Sequence, residues 1–115
     1  IINWVSENIE SSKVDLIWFQ SNSEGDIIDK LHWAIDNQIV GVIINPGAYT
    51  HYSYAIRDAI SSIEIPTIEV HLSNIDEREN FRKKSVIKDV CKKQIKGKGK
   101  EGYLEAIKIL CKGTP

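Results

Sequence analysis

Apolar residues recur along this chain in two alternating rhythms. Ile2, Val5 and Ile9 fall on one face at helical spacing, so residues 2–11 read as a helix. Residues 14–19 are an apolar run of β-branched and aromatic side chains, read as a strand. Ser23 is a candidate N-cap, and Ile27, Ile28, Leu31, Ala34 and Ile35 form a helical stripe behind it. Residues 40–44 form a nearly pure apolar strand that stops at Asn45-Pro46-Gly47. Ser53 opens a second capped helix with Ala55, Ile56, Ala59, Ile60 and Ile63 inward, and Pro66 closes the unit. Residues 67–72 read as the next strand, 75–80 as a short polar helix, and 90–95 as a strand broken up by lysines. Leu104, Ile107, Leu110 and Cys111 make the last helical stripe. Strands alternating with helices predict an α/β domain with a parallel sheet covered on both faces. The continuous apolar character of 40–44 fits a strand buried on both sides.

Composition narrows this picture without redirecting it. At 115 residues, 42% apolar and 27% charged, the chain is sized for one domain spanning 1–115, with a core that needs no disulfide or metal staple. The longest apolar run, 39–44, is far short of the ~20 residues of a membrane helix, and nothing at the N-terminus reads as a signal peptide. Cys91 and Cys111 are too few and too far apart for a disulfide framework or a zinc site, which points to a reducing, cytoplasmic compartment. The chain contains no methionine, starts at Ile1-Ile2-Asn3 and opens on a helix, whereas a doubly wound unit opens on a strand. Both features lead us to expect that it lacks its natural start. Charge is unevenly placed: residues 1–77 carry three basic and twelve acidic side chains, residues 78–115 twelve basic and four acidic. The basic half lacks the interleaved aromatics that stack on bases, so it reads as a solvated or assembly face rather than a nucleic-acid site.

In open parallel sheets, ligands bind beyond the carboxyl ends of the strands. Those positions here are Gln20-Ser21-Asn22-Ser23-Glu24-Gly25, then Asn45-Pro46-Gly47-Ala48-Tyr49-Thr50-His51, then His71-Leu72-Ser73-Asn74, with Arg82 following. Amides, hydroxyls, two histidines and an arginine on one edge suit a small polyhydroxylated anion. His71 ends an apolar strand, and Glu69, two residues back, shares its side of the pleat. A carboxylate there is expected to fix the imidazole's tautomer. His32, between Leu31 and Trp33, reads as a surface or packing residue, and three histidines without partners at ligand spacing make no metal site. Gly97-Lys98-Gly99-Lys100-Glu101-Gly102 matches G-x-G-x-x-G, but it is followed by a last helix and no further strand. The glycines are therefore expected to turn the chain into that helix rather than to hold a dinucleotide.

At Phe19-Gln20-Ser21-Asn22-Ser23-Glu24-Gly25, Ile44-Asn45-Pro46-Gly47-Ala48-Tyr49-Thr50-His51 and Glu69-Val70-His71-Leu72-Ser73-Asn74, the chain closely resembles type II 3-dehydroquinases. Arg57-Asp58-Ala59, Phe81-Arg82, Ser85-Val86-Ile87 and Gly102-Tyr103 extend the resemblance in order over almost the whole chain. Three such motifs in register are very specific. The resemblance implies a flavodoxin-like three-layer αβα fold and an anti elimination of water from 3-dehydroquinate, through an enolate, to give 3-dehydroshikimate in the shikimate or quinate pathway. It implies no cofactor and no metal, and trimers packed into a dodecamer. By the same resemblance His71 is the proton donor, oriented by Glu69; Asn45 and His51 hold substrate hydroxyls; the backbone of Leu72 and Ser73 binds the carboxylate; Arg82 closes over the substrate; and Asp58 reaches a neighbouring subunit's site.

The family's base is a tyrosine on a mobile lid, activated by a lid arginine, and both are expected upstream of Ile1 after a first, internal strand. Without that strand, residues 14–19 would have no neighbour to pair with, so these 115 residues alone are expected neither to fold well nor to turn over. Lys92, Lys93, Lys96 and Lys98 stand where the family is more apolar, which bears on assembly rather than chemistry. The rival reading is a non-catalytic flavodoxin-like binding module that kept the pocket and lost the lid; a nucleotide-binding domain would rest on the glycine motif alone.

Overall fold

The computed structural model describes residues 2–9 and 14–112. Its elements are helix α1 (Ile2–Glu7), α2 (Glu24–Asp36), strand β1 (Val42–Ile44), α3 (Tyr54–Ile63), β2 (Thr67–His71), α4 (Asn80–Lys83), β3 (Lys93–Lys96) and α5 (Glu101–Cys111). Short 3-10 turns at Gly47–His51, Ile75–Glu77 and Lys88–Val90 join them.

The two long helices on one face start where their serines predict. Ser23 Oγ accepts the Asp26 N–H at 3.2 Å and Ser53 Oγ accepts the Ile56 N–H at 3.1 Å, each satisfying a donor left open by the first helical turn. Glu24 and Asp26 add negative charge at the positive end of α2. Ile56, Ala59, Ile60 and Ile63 of α3 pack with Leu31, Ile44, Val86 and Ile87 into one core. On the opposite face α5 covers Ile68, Val70 and Ile95 with Ala106, and α1 rests against α5. The result is a three-layer α/β arrangement around a parallel sheet ordered β1-β2-β3. Ile44 lies beside Glu69, and Glu69 beside Gln94. β2 is the central strand, and every one of its residues is buried.

Several expected boundaries move. Residues 14–20 form no strand, and Ile17, Trp18 and Phe19 are exposed. A strand exists through its ladder, and among the described residues none pairs with this segment. The expected strand 40–44 shortens to Val42–Ile44, leaving Val40 exposed, because the ladder with β2 begins only at Val42. The strand 67–72 ends at His71, and Leu72 is exposed. The strand expected at 90–95 lies at Lys93–Lys96, since Cys91 N–H bonds back to Ile87 and Lys88 and holds the preceding turn closed. The polar helix at 75–80 is a 3-10 turn capped by Asn74 and then the single turn α4. Ala55, Ile35 and Cys111, placed in apolar stripes, are exposed at the margins of those stripes. His32 is exposed. The first helix ends at Glu7, and residues 10 and 11, its expected end, lie outside the described residues.

The glycine-rich turn does what its spacing predicts. Gly97 and Gly99 take φ of +74° and +56°, conformations that disfavour side chains, and α5 starts immediately afterwards. A Cβ on Gly102 would lie 3.2 Å from both Ile95 and Val70, so this glycine lets α5 press onto the sheet.

Candidate active site

The carboxyl ends of the three parallel strands deliver Asn45, His71-Leu72-Ser73 and Gly97 to one edge of the sheet. Thr67, Glu69 and His71 alternate with Ile68 and Val70, so the two chemical side chains leave the strand on the face of α2 and α3. His71 is 6% exposed and Glu69 is fully buried. The His71 Nε2–H donates to Glu69 Oε2 in a short bond, leaving Nδ1 as the ring nitrogen not engaged by the carboxylate. Ser85 Oγ donates to the same oxygen at 2.8 Å and the Gln94 side-chain amide at 3.1 Å. Burial works to raise the Glu69 pKa, but the bonds from His71, Gln94 and Ser85 outweigh it and hold the carboxyl below its ordinary range. Cys91 lies nearby; burial, with the Glu69 charge added, pushes its thiol up to about 12. That keeps it a neutral thiol rather than a nucleophile.

The other expected residues gather around this pair to different degrees. Asn45 is exposed on the edge, accepting the Gly47 N–H at 3.2 Å and reaching the Tyr103 hydroxyl at 3.4 Å. His51 Nδ1–H donates to the Lys84 carbonyl at 2.7 Å, which leaves its Nε2 free of that bond. Its ring meets Phe81 edge-on at 6.4 Å, tying the Gly47–His51 turn to α4. Arg82, on α4, pairs with Glu79 at 2.6 Å and lies 4.7 Å from the Phe81 ring centre. The Leu72 and Ser73 carbonyls accept the N–H groups of Gly99 and Gly97, at 3.0 and 3.2 Å. The loop after β2 is thereby pinned from behind. Asp58 stands apart, exposed on α3, its side chain without a hydrogen bond or ion pair among the described residues.

Ser85, Gln94 and Tyr103 are members of this cluster whose contacts single-residue reasoning did not identify. The signal for Gln94 was present: a polar amide alternating with the buried Ile95 on an otherwise lysine-rich strand. Its partner depends on the Glu69–Gln94 register, which the strand alone does not reveal. Part of the basic half is engaged in pairing: Lys96 with Asp76, Lys98 and Lys93 with Glu105, and Lys100 over the Trp4 ring. Among the described residues no group of three or more His, Cys, Asp or Glu is placed to hold a metal ion, and no helix is long and apolar enough to cross a membrane.

A parallel α/β sheet with a buried carboxylate–imidazole pair at its carboxyl edge, ringed by amides, hydroxyls and pinned backbone, defines an enzyme of general acid–base chemistry acting on a small polar substrate. The chain belongs to the class II dehydroquinase family, whose profile matches residues 1–111. It is 53% identical over 110 residues to a 3-dehydroquinate dehydratase of Caldicellulosiruptor saccharolyticus, covering 96% of this chain and 76% of that one. It is 55% identical over 101 residues to the 3-dehydroquinate dehydratase of Bacillus subtilis, covering 88% and 68%. The crystal structure of the type II dehydroquinase from Butyrivibrio crossotus superposes with a TM-score of 0.91 at 52% identity, covering 95% of this chain and 76% of that one.

Proposed function

We propose that this protein is a 3-dehydroquinate dehydratase, a hydro-lyase of the shikimate pathway that removes water from 3-dehydroquinate by anti elimination through an enolate. The observation that carries the reading is the Glu69–His71 pair at the mouth of the sheet, in a chain 53% and 55% identical to two 3-dehydroquinate dehydratases over the residues aligned. Loss of a proton beside the ketone creates an enolate, and hydroxide is a poor leaving group unless it is protonated as it departs. His71 supplies that proton: Glu69 holds Nε2 and stabilises the imidazolium, so Nδ1–H is presented to the departing hydroxyl.

Asn45 and His51 hold substrate hydroxyls, His51 through the Nε2 left free by its bond to Lys84. The N–H groups of Leu72 and Ser73 take the substrate carboxylate, a role supported by the rigid hold on their carbonyls. Arg82, on the short α4 beside His51, exchanges its surface partner Glu79 for the substrate anion. The base in this reading is a tyrosine with an activating arginine. We read the protein as a cytoplasmic homo-oligomer of trimers in a dodecamer, and Asp58, exposed and unpaired among the described residues, as reaching a neighbouring subunit's site.

The test is a spectrophotometric assay of 3-dehydroshikimate formation by the intact protein beside His71→Ala. Removing a general acid lowers kcat by about 10²–10⁴-fold. Unchanged turnover in the variant would overturn the assigned role.

A further inference from the structure

We infer that Gln94, together with Ser85, is a positioning residue for His71: both donate to the one Glu69 oxygen that holds the imidazole. This rests on the reading of His71 as proton donor and extends it to a strand outside the expected site.

The geometry comes from the sheet. β3 runs parallel to β2 with Gln94 directly beside Glu69, so the two side chains leave the sheet on the same face while Ile95 packs into the other. The amide reaches Oε2 at 3.1 Å, and Ser85, delivered by the loop after α4, reaches it at 2.8 Å. The pattern is lopsided. Oε2 collects three donors, whereas the buried Oε1 has no partner among the described residues. Donors serving only to compensate a buried carboxylate would be shared between its two oxygens, because each orphaned one carries its own desolvation cost. Concentrating them on Oε2 fixes the location of the atom that aims the ring. The same bonds favour the ionised carboxylate, the form that accepts from Nε2–H.

The ionisable groups facing Glu69 are few. His71 lies on its own strand and Cys91 just ahead of β3, whereas Ser85 and Gln94 do not titrate. α3 presents Ile56 and Ile60 to this core, and its Arg57 guanidinium is bound to the Val86 carbonyl at 2.7 Å. Removing one neutral donor therefore acts on Glu69 and, through it, on His71.

The test uses Gln94→Leu, which keeps the approximate bulk and removes the donor, in the intact protein beside Ser85→Ala and His71→Ala. Loss of a hydrogen bond to a charged group predicts a kcat about tenfold lower with KM nearly unchanged. The acid limb of the pH–rate profile should move up by about one pH unit. An NMR titration of the Glu69 carboxyl should move upward in parallel, independently of turnover. Wild-type kcat and an unmoved acid limb in Gln94→Leu, with His71→Ala inactive, would overturn this inference alone. An active His71→Ala would overturn it together with the proton-donor role. A fall in rate equal at every pH, matched by a fall in folded fraction, would make Gln94 merely structural and overturn it as well.

Discussion

The two faces of β2 divide the work of this protein. Toward α5 the strand presents Ile68 and Val70, both fully buried and packed with Ile95 and Ala106. Toward α2 and α3 it presents Thr67, Glu69 and His71, equally hidden from solvent but polar. The first face contributes transfer free energy, about 1.5–3 kcal/mol for each fully buried aliphatic side chain. The second requires compensation: Thr67 Oγ1 donates to the Ile65 carbonyl at 3.0 Å, and Glu69 gathers donors from His71, Ser85 and Gln94. A strand buried on both sides can thus carry chemistry on one face only because the other face anchors it and its neighbours supply partners.

Substitutions that exchange the two outcomes test this division. The largest stability effect belongs to the apolar face. Ile68→Ala should cost about 2–5 kcal/mol by chemical denaturation, while the folded fraction keeps its kcat and KM, the reverse of His71→Ala. On the polar face, Glu69→Gln should cost about 1–3 kcal/mol at pH 7 and flatten the acid side of the stability profile. Glu69 is held below its ordinary value of 4.5, so its contribution is complete above that pH and disappears as pH falls through the folded value. A series of denaturation curves between about pH 3 and 7, across the ordinary carboxylate range, reads the slope, and an unaltered slope in the variant would contradict the assignment. The smallest effect concerns the contact between α5 and the sheet. In Gly102→Ala the new methyl meets Ile95 and Val70 at 3.2 Å, and the strain outweighs the helix propensity gained, for a net loss of about 1 kcal/mol in the thermal melt.

Much of this was legible from local pattern. Ser23 and Ser53 cap the helices they precede, and Glu69 and His71, two apart on a strand, meet as the pleat requires. Where the reading failed, the deciding partner was remote. Residues 14–19 have strand composition, yet no strand pairs with them among the described residues, and the lysine-rich segment is a strand at 93–96 because β2 accepts its ladder there. The glycine motif turns the chain into α5 as expected, but that its N–H groups bind the Leu72 and Ser73 carbonyls was set by a remote partner.

The sequence by itself determined the alternation of helix and strand, the caps, and the placement of a carboxylate and an imidazole on one face of one strand. These follow from relations between residues a few positions apart, which periodicity and side-chain chemistry specify. Only the tertiary structure decided that Gln94 would lie beside Glu69, that Ser85 would complete the same cluster, and that Gly97 and Gly99 would hold the loop after β2 from behind. Those contacts join residues 16 to 27 positions apart in pairs such as Glu69–Ser85, Glu69–Gln94 and Leu72–Gly99. Strand register and the burial of apolar faces set them, and both are properties of the packed chain as a whole.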